Sequence, residues 1–103
     1  MVLSAVPAHA ALDDDAVSAG KALFLAMKCT ECHDADKQIN GPPLKTIAAV
    51  YGEKERLLNF MRSDVPYIVE PARSRTMEPR RRKLKALKPE EQDALATFLM
   101  SHK

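Results

Sequence analysis

The chain has 103 residues, of which 46% are hydrophobic and 29% are charged. This length supports one domain, and the composition excludes disordered, fibrous and membrane-spanning classes of protein. Sixteen basic residues against fourteen acidic ones give a net charge of +2, which is too balanced to indicate nucleic-acid binding. Three phenylalanines, two tyrosines and no tryptophan leave little bulky apolar volume, so a prosthetic group would usefully fill the centre.

The first ten residues are considered separately from the rest of the chain. Ala8-His9-Ala10 fits the small-residue cleavage site of a secretory signal, although a basic start and a full apolar stretch are missing. We interpret residues 1–10 as the remnant of a secretory signal or a disordered N-terminus, and residues 11–103 as one domain. Export, to the periplasm or elsewhere outside the cytoplasm, is therefore expected. No run approaches the roughly 18 apolar residues of a transmembrane helix, so no membrane span is predicted.

Helical periodicity dominates the chain and no strand-like alternation stands out, which predicts an all-α fold. The first helix is expected to open at the aspartates 13–15, which suit its positive N-terminal end, and to end near Cys29. Its apolar face comprises Val17, Gly20, Phe24 and Met27. Gly41-Pro42-Pro43 predicts a loop, because proline forbids continuation of a helix. A short helical piece around residues 44–50 follows and ends at Gly52.

A second clear helix is predicted over residues 53–62. Its apolar side comprises Leu57, Leu58 and Met61. The stretch from Pro66 to Pro79 contains three prolines and predicts a long irregular segment that wraps over another part of the molecule. Pro89 suits the first position of a last helix, because proline has no N–H to leave unpaired there. The buried stripe of that helix is expected to comprise Leu95, Phe98 and Leu99.

The residues that carry chemistry are Cys29-Thr30-Glu31-Cys32-His33, a C-x-x-C-H sequence. This pattern is the signature of covalent haem attachment. On a helical turn the three side chains lie on one face, so two thiols can bond to the haem vinyl groups while the imidazole reaches the iron. We therefore expect one covalently bound haem c per chain, attached through Cys29 and Cys32, with His33 as an iron ligand.

A C-x-x-C pair also occurs in thiol redox sites, disulfides and zinc sites. A thioredoxin-like site needs a βαβ neighbourhood, which this sequence lacks. Zinc needs a fourth ligand beyond Cys29, Cys32 and His33, available only from His9, His102 or a carboxylate. The haem interpretation is therefore favoured over these three.

The residues on both sides of the motif extend the pattern. They are Gly20-Lys21-x-x-Phe24 before it, Gly41-Pro42-x-Leu44 after it, a later Met77, and the final segment from Asp93 to Leu99. Together they resemble class I c-type cytochromes, small monohaem proteins with histidine and methionine as iron ligands. The resemblance implies a cytochrome c-like fold of three to five helices around one haem. It also implies that the N-terminal helix crosses the C-terminal one, with Gly20 allowing close approach and Phe24 packing near Phe98.

The same resemblance implies roles for residues around the haem. His33 would be the proximal iron ligand, with its second ring nitrogen held by the carbonyl of Pro42. Leu44 would belong to the haem-binding residues.

Met77 is the candidate sixth ligand of the iron. It is the only methionine in a predicted loop, and Met1 falls in the segment interpreted as a leader. The remaining methionines lie on patterned helices and are better explained as core: Met27, Met61 and Met100. Many relatives have proline directly after the methionine, whereas this chain has Met77-Glu78-Pro79. Packing of Met77 on the ring without binding to iron stays open.

An iron with two protein ligands has no position for substrate, so one-electron transfer is expected rather than catalysis. The protein would shuttle electrons between redox partners as a monomer, or serve as the haem subunit of a dehydrogenase or other small complex. The alternative is a gas-binding or peroxidase-like haem protein, in which the distal iron position is open.

A basic stretch on both sides of Met77 is the candidate docking surface for a redox partner. It comprises Arg73, Arg75, Arg80, Arg81, Arg82 and Lys83. Placed around the haem edge, these cations would steer an acidic face of the partner into a brief contact. A solvated helix face is the simpler interpretation of a charge run. Some of these cations would instead neutralise the haem propionates, as would Lys45, Tyr51 or Lys54.

Overall fold

The computed structural model describes residues 5–103 and, from Asp14 onward, their side chains. Within this range the regular structure consists of five α-helices and two short 3₁₀ turns. The α-helices are α1 (Ala5–Ala26), α2 (Leu44–Tyr51), α3 (Lys54–Arg62), α4 (Ser74–Ala86) and α5 (Pro89–Met100). The prediction of an all-α fold is confirmed for this part of the chain.

Helix α1 begins at Ala5, well before the aspartates predicted to open it. That prediction of the helix start is therefore wrong. The physical reason lies in residues 5–12, which contain four alanines, the best helix formers. Pro7 falls in the first turn, where its missing N–H costs nothing. The leader prediction concerns residues 1–10, of which 1–4 lie outside the described residues, and it stays a prediction.

Helices α1 and α5 cross in close contact at Gly20. A β-carbon on Gly20 would overlap the carbonyl oxygen of Ala94 and lie 2.6 Å from Cβ of Phe98, so only glycine fits at the crossing. The rings of Phe24 and Phe98 pack beside it with centroids 5.4 Å apart and planes inclined by 52°. Aromatic pairs in this arrangement add about 0.5–1.5 kcal/mol to the energy of area burial. The expected crossing of the two terminal helices is confirmed.

The middle of the chain follows the predicted order. Helix α2 ends at Tyr51, and the next residue, Gly52, has a φ of 79° that suits glycine and turns the chain into α3. The predicted apolar side of α3 is buried: Leu57, Leu58 and Met61. Helix α5 begins at Pro89, and the backbone N–H of Lys88 before it donates to Oε1 of Glu91 at 2.9 Å.

The segment from Pro66 to Pro79 is irregular only in its first part. A 3₁₀ turn at Pro71–Arg73 leads into α4, so Met77 and Pro79 lie in a helix. The prediction of a loop through Pro79 is wrong. Pro79 removes a single helical hydrogen bond, to the carbonyl of Arg75, and both residues are exposed, so water can satisfy that carbonyl.

Packing of the helices leaves a cavity at the centre of the molecule. Helices α2 and α3 pack against α5, and α4 packs against α3. The most buried large side chains are Met61 and Leu95, where α3 meets α5. Within residues 5–103, no helix combines the length and the apolar character needed to cross a membrane.

Candidate functional site

The central cavity brings together all six site residues predicted from the sequence. It opens partly to solvent, and the empty space in it and at its mouth together amounts to about 990 Å³. Each of the five α-helices contributes to its wall. The proposed residues that line it are Cys29, Cys32, His33, Pro42, Leu44 and Met77.

The C-x-x-C-H sequence lies directly after α1 on a tight turn. Lys28 adopts a left-handed conformation, with φ of 60°, and reverses the chain at the end of the helix. The carbonyl of Cys29 then accepts two backbone hydrogen bonds, from Cys32 at 3.1 Å and from His33 at 2.9 Å. Cys29, Cys32 and His33 all belong to the lining of the cavity.

The two cysteines differ in burial. Cys29 is buried and Cys32 is half-buried. Burial raises the pKa of the Cys29 thiol, although the positive charge of Arg80 opposes the shift. Thiol redox sites depend on a lowered pKa, so the surroundings of Cys29 do not favour a reactive thiolate.

No fourth ligand for a zinc ion lies near Cys29, Cys32 and His33 in the described part of the chain. Among the side chains from residue 14 onward, no group of three His, Cys, Asp or Glu is close enough to hold a metal ion. His102 packs edge-on against the ring of Phe98 at the end of α5, with centroids 4.8 Å apart, and does not line the cavity. His9 lies outside the described side chains.

A hydrogen bond fixes the orientation of the His33 ring. Its Nδ1 donates to the carbonyl oxygen of Pro42 at 2.8 Å. Because a carbonyl only accepts, Nδ1 carries the proton and Nε2 keeps its lone pair for a metal. The ring also presses on Gly41, where a β-carbon would lie 2.8 Å from Cε1 of His33.

Gly41 is a site residue whose contact with His33 was not predicted from the sequence. Its N–H donates to the carbonyl of Cys32 at 2.6 Å, which joins the loop to the cysteine turn. The signal was present in the sequence, since this glycine precedes Pro42 directly. Its interpretation as a chain breaker accounted for the loop but not for the contact with His33.

Met77 reaches the cavity from a helix rather than from a loop. At 3.6 residues per turn it shares a face of α4 with Arg80 and Leu84, and all three line the cavity. Met61 on α3 also lines the cavity, with 1% of its surface exposed. Helical location therefore does not separate these two methionines, whereas Met27 is outside the cavity lining.

Two cations of the basic stretch lie at the cavity and make contacts with the cysteine turn and the loop after it. Arg80 pairs with Glu31, within the C-x-x-C-H sequence, with Nη2 2.6 Å from Oε1. Arg73 donates from Nη2 to the carbonyl of Asn40 at 2.9 Å. Both contacts join the segment that carries Met77 to the segment that carries the cysteines.

The other cations of the stretch lie elsewhere. Arg81 is buried, with 7% of its surface exposed. The exposed residues Arg75, Arg82 and Lys83 lie away from Met77 around α4 and do not line the cavity. The six cations therefore do not form a single ring around one edge of the cavity.

Of the three further residues considered for the haem propionates, only Tyr51 lines the cavity. Lys45 is exposed on α2 and outside the lining. Lys54 pairs with Asp93 on α5, with Nζ 2.9 Å from Oδ1.

An aromatic wall on one side of the cavity was not predicted. Phe60 contacts Tyr51 and Tyr67 edge-on, with centroids 5.9 Å and 5.1 Å away. The hydroxyl of Tyr67 donates to Oε1 of Glu78 at 2.6 Å. Burial and this hydrogen bond raise the pKa of Tyr67 to about 12. Tyr67 lies in an irregular segment, so no periodic pattern in the sequence could place it.

One comparison with known proteins supports the same kind of site. The family model for cytochrome c matches residues 17–103, which include the C-x-x-C-H turn, Met77 and helices α2 to α5. Curated proteins compared with the chain give no match. The chain belongs to the cytochrome c family, whose members carry covalently bound haem c and transfer electrons.

Proposed function

We propose that this protein is a one-electron carrier that holds a single haem c through Cys29 and Cys32, with His33 and Met77 as iron ligands. The observation that carries the proposal is the convergence of two sulfurs, one oriented imidazole and a thioether on the same cavity. When bound, the haem supplies an iron that is reversibly oxidised and reduced by one electron.

The residues of the cavity fit such a group. Its walls are largely apolar, with leucines from four of the helices: Leu44, Leu57, Leu84, Leu95 and Leu99. Apolar walls exclude water, and side chains packed between helices change little when the charge of the site changes by one. Polar contacts concentrate where Arg73 and Arg80 join the loop and the cysteine turn. These features favour a rigid electron-transfer site.

His33 is proposed as the proximal ligand because its ring cannot turn freely. The bond to Pro42 holds one nitrogen and the contact with Gly41 limits rotation of the ring. A fixed ring keeps the same ligand position in both oxidation states, which lowers the rearrangement that accompanies electron transfer.

Gly41→Ala should disturb the His33 site through the added methyl group. The new β-carbon would lie 2.8 Å from Cε1 of His33, so the ring must shift and its bond to Pro42 weakens. We expect the free energy of unfolding to fall by about 1–3 kcal/mol, together with an altered haem absorption spectrum. Chemical denaturation and visible spectroscopy measure the two effects.

Gly52→Ala is the matched control. Its φ of 79° strains an alanine, but nothing lies within 4 Å of the new β-carbon. It should therefore lose stability and keep the parent spectrum. The role assigned to Gly41 is wrong if its variant also keeps that spectrum.

Met77→Leu tests the sixth ligand while nearly conserving volume. We expect loss of the weak far-red band of sulfur-ligated ferric haem, because leucine offers no lone pair to the iron. The reduction potential should fall, since a thioether favours the ferrous state. A redox-titrated absorption spectrum records both changes.

Met61→Leu is the control, because Met61 lines the same cavity from α3. It should keep the far-red band. Loss of the band in this variant but not in Met77→Leu would transfer the ligand role to Met61. A wild-type protein with high-spin iron that readily takes up carbon monoxide would instead favour the gas-binding or peroxidase-like alternative.

We propose the periplasm as the compartment, where the protein acts as a diffusible shuttle or as the cytochrome subunit of an oxidoreductase. Two observations support export: Ala8-His9-Ala10 resembles a signal cleavage site, and cytochrome c domains are typically exported. Fractionation of the native host should therefore recover the haem-stained protein with periplasmic markers. Recovery with cytoplasmic markers alone would contradict the assignment.

We propose that the exposed face of α4 receives an acidic surface of the redox partner. Arg75, Arg82 and Lys83 are exposed there, and they form no ion pair with the described side chains. Weak redox encounters bury less than about 1,200 Å², so a few cations on one helix can supply much of the attraction.

Poly-L-glutamate serves as an acidic probe of this surface. Nuclear magnetic resonance shifts on its addition should concentrate on α4 and vanish in high salt. Substitution of Arg75, Arg82 and Lys83 by glutamate should abolish them. The matched control reverses three exposed lysines of other elements, Lys21, Lys37 and Lys45, and should keep most of the binding. Equal loss in both variants would show that only net charge matters.

A further inference from the structure

The middle residue of Arg80-Arg81-Arg82 is buried against the haem cavity wall. Arg81 has 7% of its surface exposed, whereas Arg82, the next residue, is exposed. Arginine is almost never this deeply buried without partners, because a charge loses its hydration in the interior. The contacts that hold Arg81 therefore matter for its effect on the site.

Backbone carbonyls in the last turn of α3 and in the segment just after it hold the guanidinium. Nε and Nη2 donate to the carbonyl of Phe60 at 3.3 Å and 3.2 Å. Nη2 also donates to the carbonyls of Ser63 at 2.9 Å and Val65 at 2.6 Å. Carbonyls at a helix C-terminus lack helical partners and carry partial negative charge, which suits a cation. They are neutral groups, so the full positive charge of Arg81 persists.

Two aromatic rings separate this charge from the cavity. The Cζ atom of Arg81 lies 4.1 Å from the ring centroid of Phe60 and 4.7 Å from that of Tyr67. Both rings line the cavity. The cation therefore sits directly behind the aromatic wall.

The acids near Arg81 are engaged with other groups. Glu78 accepts a hydrogen bond from Tyr67, and Asp64 pairs with Lys85. Among the described side chains, no carboxylate oxygen lies within 4.0 Å of the guanidinium of Arg81. The charge thus has no direct counter-ion.

We propose that Arg81 is a positioning and tuning residue, whose buried charge raises the reduction potential of the haem by favouring the state that holds the extra electron. The proposal rests on the proposed electron-carrier function. A positive charge in surroundings of low dielectric constant attracts an added electron more strongly than one in water. Arginine stays protonated in proteins, and a buried charge is poorly screened by salt. The effect should therefore persist across pH and ionic strength.

Arg81→Gln removes the charge and keeps an amide that can donate to a carbonyl, while Arg81→Lys keeps the charge. Arg82→Gln is the matched control, because it changes the net charge equally from an exposed position next in sequence. Midpoint potentials of the haem-loaded proteins are measured spectroelectrochemically at low and high salt. At a fixed applied potential, we expect Arg81→Gln to lower the ratio of ferrous to ferric haem about tenfold. For one electron this corresponds to a fall in midpoint potential of about 59 mV. Arg82→Gln should shift the potential little, and salt should remove that shift.

Arg81→Lys should stay close to the wild-type potential. Equal shifts in Arg81→Gln and Arg82→Gln would overturn the proposal, and so would a potential in Arg81→Lys as low as in Arg81→Gln. If Arg81→Gln does not fold, Arg81→Met replaces it, since methionine fills a similar volume and needs no hydrogen bond.

The absorption spectrum separates failure of this inference from failure of the proposed function. Absence of haem from the wild type, or absence of its sulfur ligand, overturns the electron-carrier proposal. Intact spectra with unchanged potentials overturn only the role of Arg81.

Discussion

The hydrogen bond from His33 to the carbonyl of Pro42 is the constraint on which the rest of the site depends. It joins two consecutive loops, sets the tautomer of the imidazole and aims its free nitrogen. Gly41 makes the bond possible, because any larger residue would displace the ring. The cysteine turn adds to this constraint, since Gly41 also donates to Cys32. One short segment therefore determines where a metal bound to His33 must lie.

Helix α4 also lines the cavity and is joined to the cysteine turn by the ion pair between Arg80 and Glu31. Because the helix turns, neighbouring side chains of α4 lie in different surroundings. Met77 and Arg80 line the cavity, Arg81 is buried among carbonyls at and after the end of α3, and Arg82 is exposed. Adjacent residues on a helix are about 100° apart, so three consecutive arginines meet three environments. A uniform charge run in sequence is thus divided into an ion pair, a buried cation and a solvated cation.

The buried cation connects stability with redox chemistry. Arg81 accounts for three carbonyls in the last turn of α3 and just after it, and it packs against Phe60 and Tyr67. These contacts order the irregular segment that leads to α4, and so they help to place the helix that carries Met77. The same group contributes an electrostatic field at the aromatic wall. Because Arg81 orders this segment through hydrogen bonds to neutral backbone carbonyls, these contacts do not neutralise its positive charge.

Much of this protein could be predicted from sequence, for reasons of local chemistry. The C-x-x-C-H spacing predicted a covalently bound haem c, helical periodicity indicated an all-α fold, and Gly20 with Phe24 anticipated the crossing with α5. These signals are local or belong to a family pattern. The prediction of an irregular segment through Pro79 was wrong, because a helix tolerates proline where the carbonyl that loses its hydrogen bond is exposed to water.

Tertiary packing decided what local patterns could not contain. The face of α4 that meets the cavity depends on how α4 packs against α3, so neither Met77 on a helix nor Arg81 in the interior could be read from the chain. Tyr67 joins the aromatic wall through contacts with Phe60 and Glu78, which lie in two different helices. The sequence alone determined which chemical groups the protein has and indicated that its regular structure is helical. Only the fold decided which of its charges lose their water, because burial is a property of the assembled helices.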